Sequence, residues 1–233
     1  MNHRNAVSQV GGLINVSKSF GANETATRAV KNVSLQLYAG EMTLLLGPSG
    51  SGKTTLLTLL AGLLRPSSGA VFLFGRDVQS YSPEELQKVR ARRLGFIFQN
   101  FHLIDSLTVE ENVELVVHFA GNDRGDHRTR TRHLLTEMNI GHLAGRFPPT
   151  LSQGEKQRVA IARAIANDAD LIIADEPTAS LESMQGFEVI RLLRHLADGM
   201  GKGVVVASHD LRLKEFADRV LALRDGEIVD PLR

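Results

Sequence analysis

Apolar residues fall into two rhythms along this chain. Met42-Thr43-Leu44-Leu45-Leu46, Leu171-Ile172-Ile173-Ala174 and Val204-Val205-Val206-Ala207 are short apolar runs with no polar face. Runs of this length predict strands buried on both sides, as in a parallel sheet covered by helices. Val33-Ser34-Leu35-Gln36-Leu37 alternates instead and, with Leu13-Ile14-Asn15-Val16, predicts strands near the N-terminus on either side of a turn-rich loop at 21–25. Ala70 to Phe74 and Leu94 to Phe98 read as further strands. Arg219 to Val229 predicts two short strands joined by a turn at Asp225-Gly226.

Helical spacing fills the intervals. A helix is expected from Thr54 to Leu64, stopped by Pro66-Ser67-Ser68-Gly69. Ser82-Pro83-Glu84-Glu85 is a helix start, with a serine cap, proline in the first turn and glutamates at the positive end of the dipole. That helix should reach about Arg92. Thr108 to Met138 is helical with a polar break at Gly121 to Asp126, and further helices run from Ser152 through Ala166 and from Ser183 to Ala197. The alternation predicts a single α/β domain over 1–233. Its core is residues 1–95 and 165–233, and a mainly helical insertion fills 96–164.

The chain has 233 residues, 42% of them apolar and 23% charged, enough for a real core. Net charge is +1, so no global field argues for nucleic acid. With no cysteine, disulfides, thiolate zinc sites and thiol catalysis are excluded. No segment approaches the ~18–20 consecutive apolar residues of a membrane span. Met1-Asn2-His3-Arg4-Asn5 has no signal-peptide character. These features predict a soluble cytoplasmic chain whose membrane link, if any, comes through a partner.

The strongest chemistry lies after the Met42–Leu46 run. Gly47-Pro48-Ser49-Gly50-Ser51-Gly52-Lys53-Thr54 is a complete G-x-x-x-x-G-K-[ST] loop between a strand and a helix. Its glycines let successive backbone N–H groups point into one cavity, and the helix beginning there adds its positive end. Lys53 would reach the β- and γ-phosphates of a nucleotide and Thr54, followed by Thr55, would ligate Mg²⁺. The run ending in Ala174 is followed by Asp175 and Glu176, one suited to sit near Mg²⁺ and the other to activate water. Ser152 and Gly154 open a helix, where a hydroxyl and free N–H groups make an anion site.

Together the phosphate loop, Leu151-Ser152-Gln153-Gly154-Glu155, the strand ending Asp175-Glu176 and the lone His209 resemble the ATP-binding-cassette ATPases over about residues 11–230. The resemblance implies a P-loop NTPase: a RecA-like core, an N-terminal antiparallel β subdomain and an inserted helical subdomain. It implies ATP and Mg²⁺ as cofactors, and two copies joined head to tail, each signature (Ser152, Gly154) closing over ATP held by the other copy. Catalysis would fall to Glu176, His209 and Lys53, with Thr54, Gln99 and Asp175 at the metal. Gln99, in Phe96-Ile97-Phe98-Gln99, matches the Q-loop glutamine. Phe20 stands where the family has an adenine-stacking aromatic, although its pattern also suits a core strand.

The chain departs from the family pattern at Gln153, where glycine is usual, at Glu155, which replaces glutamine, and at Glu182, where the D-loop has aspartate. None removes a catalytic group, so an active but slow ATPase is expected. Residues 31–35, 93–103 and 107–113 resemble the lipoprotein-release and macrolide-efflux cassettes. That resemblance implies a separate permease with four transmembrane helices and a large extracytoplasmic domain, and a peripheral position on the cytoplasmic side of the inner membrane. Phe101, His102, Leu103, Ile104 and the helix Val109 to Phe119 would form part of the cleft that receives it. The basic stretch Arg124 to His133 would face anionic headgroups, an acidic partner loop or solvent. The alternative is a soluble cassette acting on DNA or ribosomes, but the chain has no second cassette, heptad run or basic stripe.

Overall fold

The computed structural model describes residues 8–21, 27–121 and 127–229. Most of the expected loop at 21–25 and of the polar break at 121–126 lies outside these residues.

Two sheets share the molecule. The first joins β1 (Gln9–Phe20), β2 (Thr27–Tyr38), β4 (Ser68–Leu73) and β5 (Arg76–Asp77), antiparallel in the order β2-β1-β4-β5. The second contains β3 (Met42–Leu46), β6 (Leu94–Ile97), β7 (Leu171–Asp175), β8 (Gly203–Ser208), β9 (Arg219–Arg224) and β10 (Glu227–Val229), in the order β10-β9-β3-β8-β7-β6. It is parallel except for β10.

The apolar runs are uniform because both faces of this sheet are covered. Ile172, Ala174, Val204 and Val206 face one core, while Leu171, Ile173, Val205 and Ala207 face the other. The first core holds the helices α3 (Val109–Phe119), α4 (His127–Glu137), α5 (Gln153–Ile165) and α6 (Ser183–Asp198). The second holds α1 (Lys53–Leu60) and the inner face of the antiparallel sheet. A last helix, α2 (Pro83–Arg93), starts at a capping box in which Ser82 and Glu85 satisfy each other's backbone N–H groups.

Two expected boundaries move. The first helix ends at Leu60 rather than Leu64 because Gly62 turns left-handed at φ 63°. β1 is 12 residues long, and its register against β2 slips repeatedly. Those bulges break the period-2 pattern, which left only its centre visible in sequence.

Candidate functional site

In an open parallel sheet, ligands bind beyond the carboxyl ends of the strands. Here β3, β8, β7 and β6 are consecutive neighbours. Their ends therefore bring Gly47, His209, Asp175 with Glu176, and Gln99 side by side. A cavity of about 310 Å³ opens there, lined by Ser49, Gly50, Gly52, Lys53, Thr54, Thr55, Gln99, Glu176 and His209, and also by Ala29.

The phosphate loop is held tightly. Gly52 has φ 103°, and a Cβ there would run into the carbonyl oxygen of Ala29. Lys53, the first residue of α1, is buried. Its Nζ donates to the carbonyls of Gly47 (2.7 Å) and Pro48 (3.1 Å) and lies 3.3 Å from Glu176 Oε1. On its other oxygen Glu176 meets His209 Nδ1 at 3.0 Å. Against an ionised carboxylate that nitrogen carries the proton. Glu176 itself sits at φ 47°, a left-handed conformation that a non-glycine residue holds only when its surroundings fix it. Its N–H donates to Ala207 O (2.9 Å), tying the carboxylate to β8.

Thr54 Oγ1 donates to Asp175 Oδ2 at 2.7 Å, whereas the buried Oδ1 of Asp175 has no hydrogen-bond partner. An oxygen-only set of Thr54, Asp175 and Gln99 fits a hard cation such as Mg²⁺. Among the described residues no group of three or more His, Asp or Glu could hold a metal alone. Mg²⁺ usually takes one or two carboxylates plus substrate phosphates, and Asp175 is the carboxylate beside Thr54 here.

Burial is the main force on Asp175 and raises its pKa. Thr54 opposes this through its hydrogen bond, Glu176 adds to it, and Lys53 opposes it. A carboxyl whose folded pKa is raised destabilises the fold as pH climbs from its unfolded value through the folded one. Asp175→Asn should therefore raise Tm at neutral pH in nucleotide-free buffer, by about 2–4 °C per kcal/mol regained in a chain of this size. A lower Tm in thermal denaturation would contradict the burial argument.

Ser152 and Gly154 lie elsewhere, in a separate cavity of about 310 Å³ with Glu155, Arg158, Leu181, Gln185, Glu188 and Val189. Ser152 caps α5, its Oγ accepting from Glu155 N, while Glu155 Oε2 accepts from Ser152 N at 2.7 Å. Glu155 is thus the second half of a capping box. Gln153 is exposed in the first turn of α5 and has no positive φ, so no glycine is required there. Glu182 is the residue before α6 and makes no side-chain cap.

Phe20 does not line the cleft. It ends β1, exposed, with Lys18 Nζ 5.3 Å from its ring centroid. Ala29, on the adjoining strand, is the lining residue that sequence patterns did not single out.

A third cavity, about 680 Å³, is mainly apolar and lies between α2 and α3, lined by Leu63, Phe96, Phe98, Val116 and Phe119 among others. It differs from the cleft expected after Gln99. Val116 and Phe119 belong to it, but Leu103 packs against the first core instead. Leu63 and Phe119 are 52% and 63% exposed and share this groove, a contiguous apolar patch of the kind that marks an interaction site.

Residues 30–179 match the family described as ABC transporter. The chain belongs to the ABC transporter family. It is an ATPase cassette of α/β P-loop fold. It is 42% identical over 217 residues to the macrolide export ATP-binding/permease protein MacB of Salmonella choleraesuis, and 40% identical over 218 residues to MacB of Agrobacterium fabrum. These alignments take in 93% and 94% of this chain but 33% and 34% of the relatives. The chain thus spans about a third of the length of the curated relatives it matches. Its fold superposes on the dimeric ATP-binding cassette MJ0796 bound to ADP and Pi with TM-score 0.87 and 39% identity, covering 94% of this chain and 96% of that one.

Proposed function

We propose that this chain is the ATP-driven part of an export complex, working as a head-to-tail pair that moves a membrane permease. One observation carries the pairing: the phosphate cleft and the Ser152–Gly154 cavity share no residue. A signature that closes on a γ-phosphate must then meet the cleft of a second copy. The MJ0796 cassette, whose structures are dimeric, supports a pair of copies.

In the closed pair, the backbone of Gly47 to Gly52 and Lys53 bind the phosphates, and Thr55 continues the loop's contact. Thr54, Asp175 and Gln99 would hold Mg²⁺, which would supply positive charge to offset that of the phosphates. Glu176 accepts the proton of the attacking water, and His209, 3.0 Å from it, fixes its orientation. Lys53 steadies charge on the transferred group. Phe20 would close on the adenine from the end of β1. Among the described residues no helix is long and apolar enough to cross a membrane. The resemblance to the lipoprotein-release and macrolide-efflux cassettes points to a permease in a separate subunit with four transmembrane helices and a large extracytoplasmic domain, with the cassette on the cytoplasmic side of the inner membrane. The names of the MacB relatives, which join ATP-binding and permease, support a permease as what the cassette drives.

The apolar groove between α2 and α3 is the seat for that permease. Immobilised Glu176→Gln protein, with ATP and Mg²⁺, should recover such a membrane protein from detergent-solubilised native membranes. Adding Leu63→Asp and Phe119→Asp should abolish recovery without weakening ATP binding. Recovery of soluble partners alone, or capture unaffected by the two aspartates, would contradict the reading.

A further inference from the structure

Arg163 is placed oddly for a surface cation. It lies on α5, ten residues after Gln153, half-buried, and burial lowers its pKa. Its two terminal nitrogens divide between consecutive carbonyls: Nη2 donates to Phe101 O at 2.6 Å and Nη1 to His102 O at 2.5 Å. Both acceptor residues are left-handed, at φ 60° and 49°. Two successive non-glycine residues in that region are costly, and persist only where something over-determines them. The turn is tight as well, with Phe101 N bonded to Phe98 O (3.0 Å) and His102 N to Asn100 O (2.6 Å).

This turn begins at Gln99, which lines the phosphate cleft. On its other side the His102 ring stacks on Phe98 (4.6 Å, 11°), and Phe98 on Phe96 (4.2 Å, 26°), two rings of the apolar groove. One guanidinium therefore pins the segment between groove and cleft to the helix that begins at Ser152. Lysine could not reproduce this, because a point ammonium lacks the fork that spans two carbonyls.

We propose that Arg163 is a positioning residue for Gln99: its fork holds the left-handed Phe101–His102 turn against the signature helix, and that turn sets where Gln99 stands in the cleft. The inference rests on the reading of Gln99 as an ATP-site residue. Misplacing a group by about 1 Å can cost about a hundredfold in rate.

The test is a double-mutant cycle on the full chain, reading kcat, KM and the Kd of a fluorescent ATP analogue. Arg163→Lys should lower kcat about tenfold, with KM and Kd within about twofold. In a Gln99→Ala background the same change should cost less than about twofold, since its effect is already lost. An equal loss in both backgrounds, or an unchanged kcat, would overturn the proposal. If Gln99→Ala alone leaves kcat intact, the ATP-site reading of Gln99 fails first. His102→Pro provides a second route that spares α5, because proline cannot adopt φ 49° and removes the N–H to Asn100. It should match Arg163→Lys in kcat and Kd, and wild-type turnover by a folded His102→Pro protein would also overturn the proposal.

Discussion

Glu176→Gln should turn the protein into a stable ATP-bound pair with turnover reduced about 10²–10⁴-fold, the usual contribution of a positioned general base. The amide keeps the size of the carboxylate and can still meet His209 Nδ1, now 3.0 Å away, so the cleft keeps its shape. It cannot take a proton from water. It also ends the ion pair with Lys53, whose side chain and that of Glu176 are only 7% and 10% exposed. Lys53 must leave that contact to reach a phosphate, so the substitution should strengthen ATP binding while blocking hydrolysis. Light scattering should show twice the single-chain mass with ATP and the single-chain mass without it. Rapid hydrolysis by this variant would remove Glu176 from the mechanism.

Lys53→Ala should do the opposite and weaken binding. A hydrogen bond to a charged group is worth about 1.5–3 kcal/mol. Losing one or two from the phosphates should raise the ATP Kd by at least about tenfold, at 1.4 kcal/mol per factor of ten. The change also leaves Glu176 buried without its cation, which lowers stability and would confuse the interpretation. The double variant Lys53→Ala, Glu176→Gln avoids that, because it removes both charges. It should fold, bind ATP poorly by calorimetry and remain a single chain in light scattering. ATP-driven pairing by the double variant would show that Lys53 is not the phosphate anchor.

Much of this protein is legible without coordinates because its signals are local. The parallel strands show as unbroken apolar runs, since both their faces are buried, and Ser82 and Ser152 announce their helices through glutamates three residues on. The phosphate loop is contiguous, and Asp175-Glu176 and His209 each close an apolar strand. What stayed hidden depends on contacts between distant segments. The left-handed backbone of Glu176 is set by its bond to Ala207, on another strand. Ala29 reaches the cleft only through the hairpin of β1 and β2, while the aromatic motif position drew attention to Phe20. The groove pairs Leu63 with Phe119, which are far apart in sequence, whereas the residues next to Gln99 looked apolar enough to form it. Arg163 reads as one more cation on an amphipathic helix until its carbonyl partners are known.

The central claim is that one copy's phosphate loop works with the other copy's signature. The chain has no cysteine, so an engineered pair gives an unambiguous signal. Ser49 lines the phosphate cleft, and Gln153 is exposed beside Ser152. With Ser49→Cys and Gln153→Cys in one chain carrying Glu176→Gln, mild oxidation in ATP and Mg²⁺ should produce a disulfide-linked pair of chains. Without nucleotide the link should be absent. A disulfide closed within a single chain, or no ATP-dependent link between chains, would contradict the account.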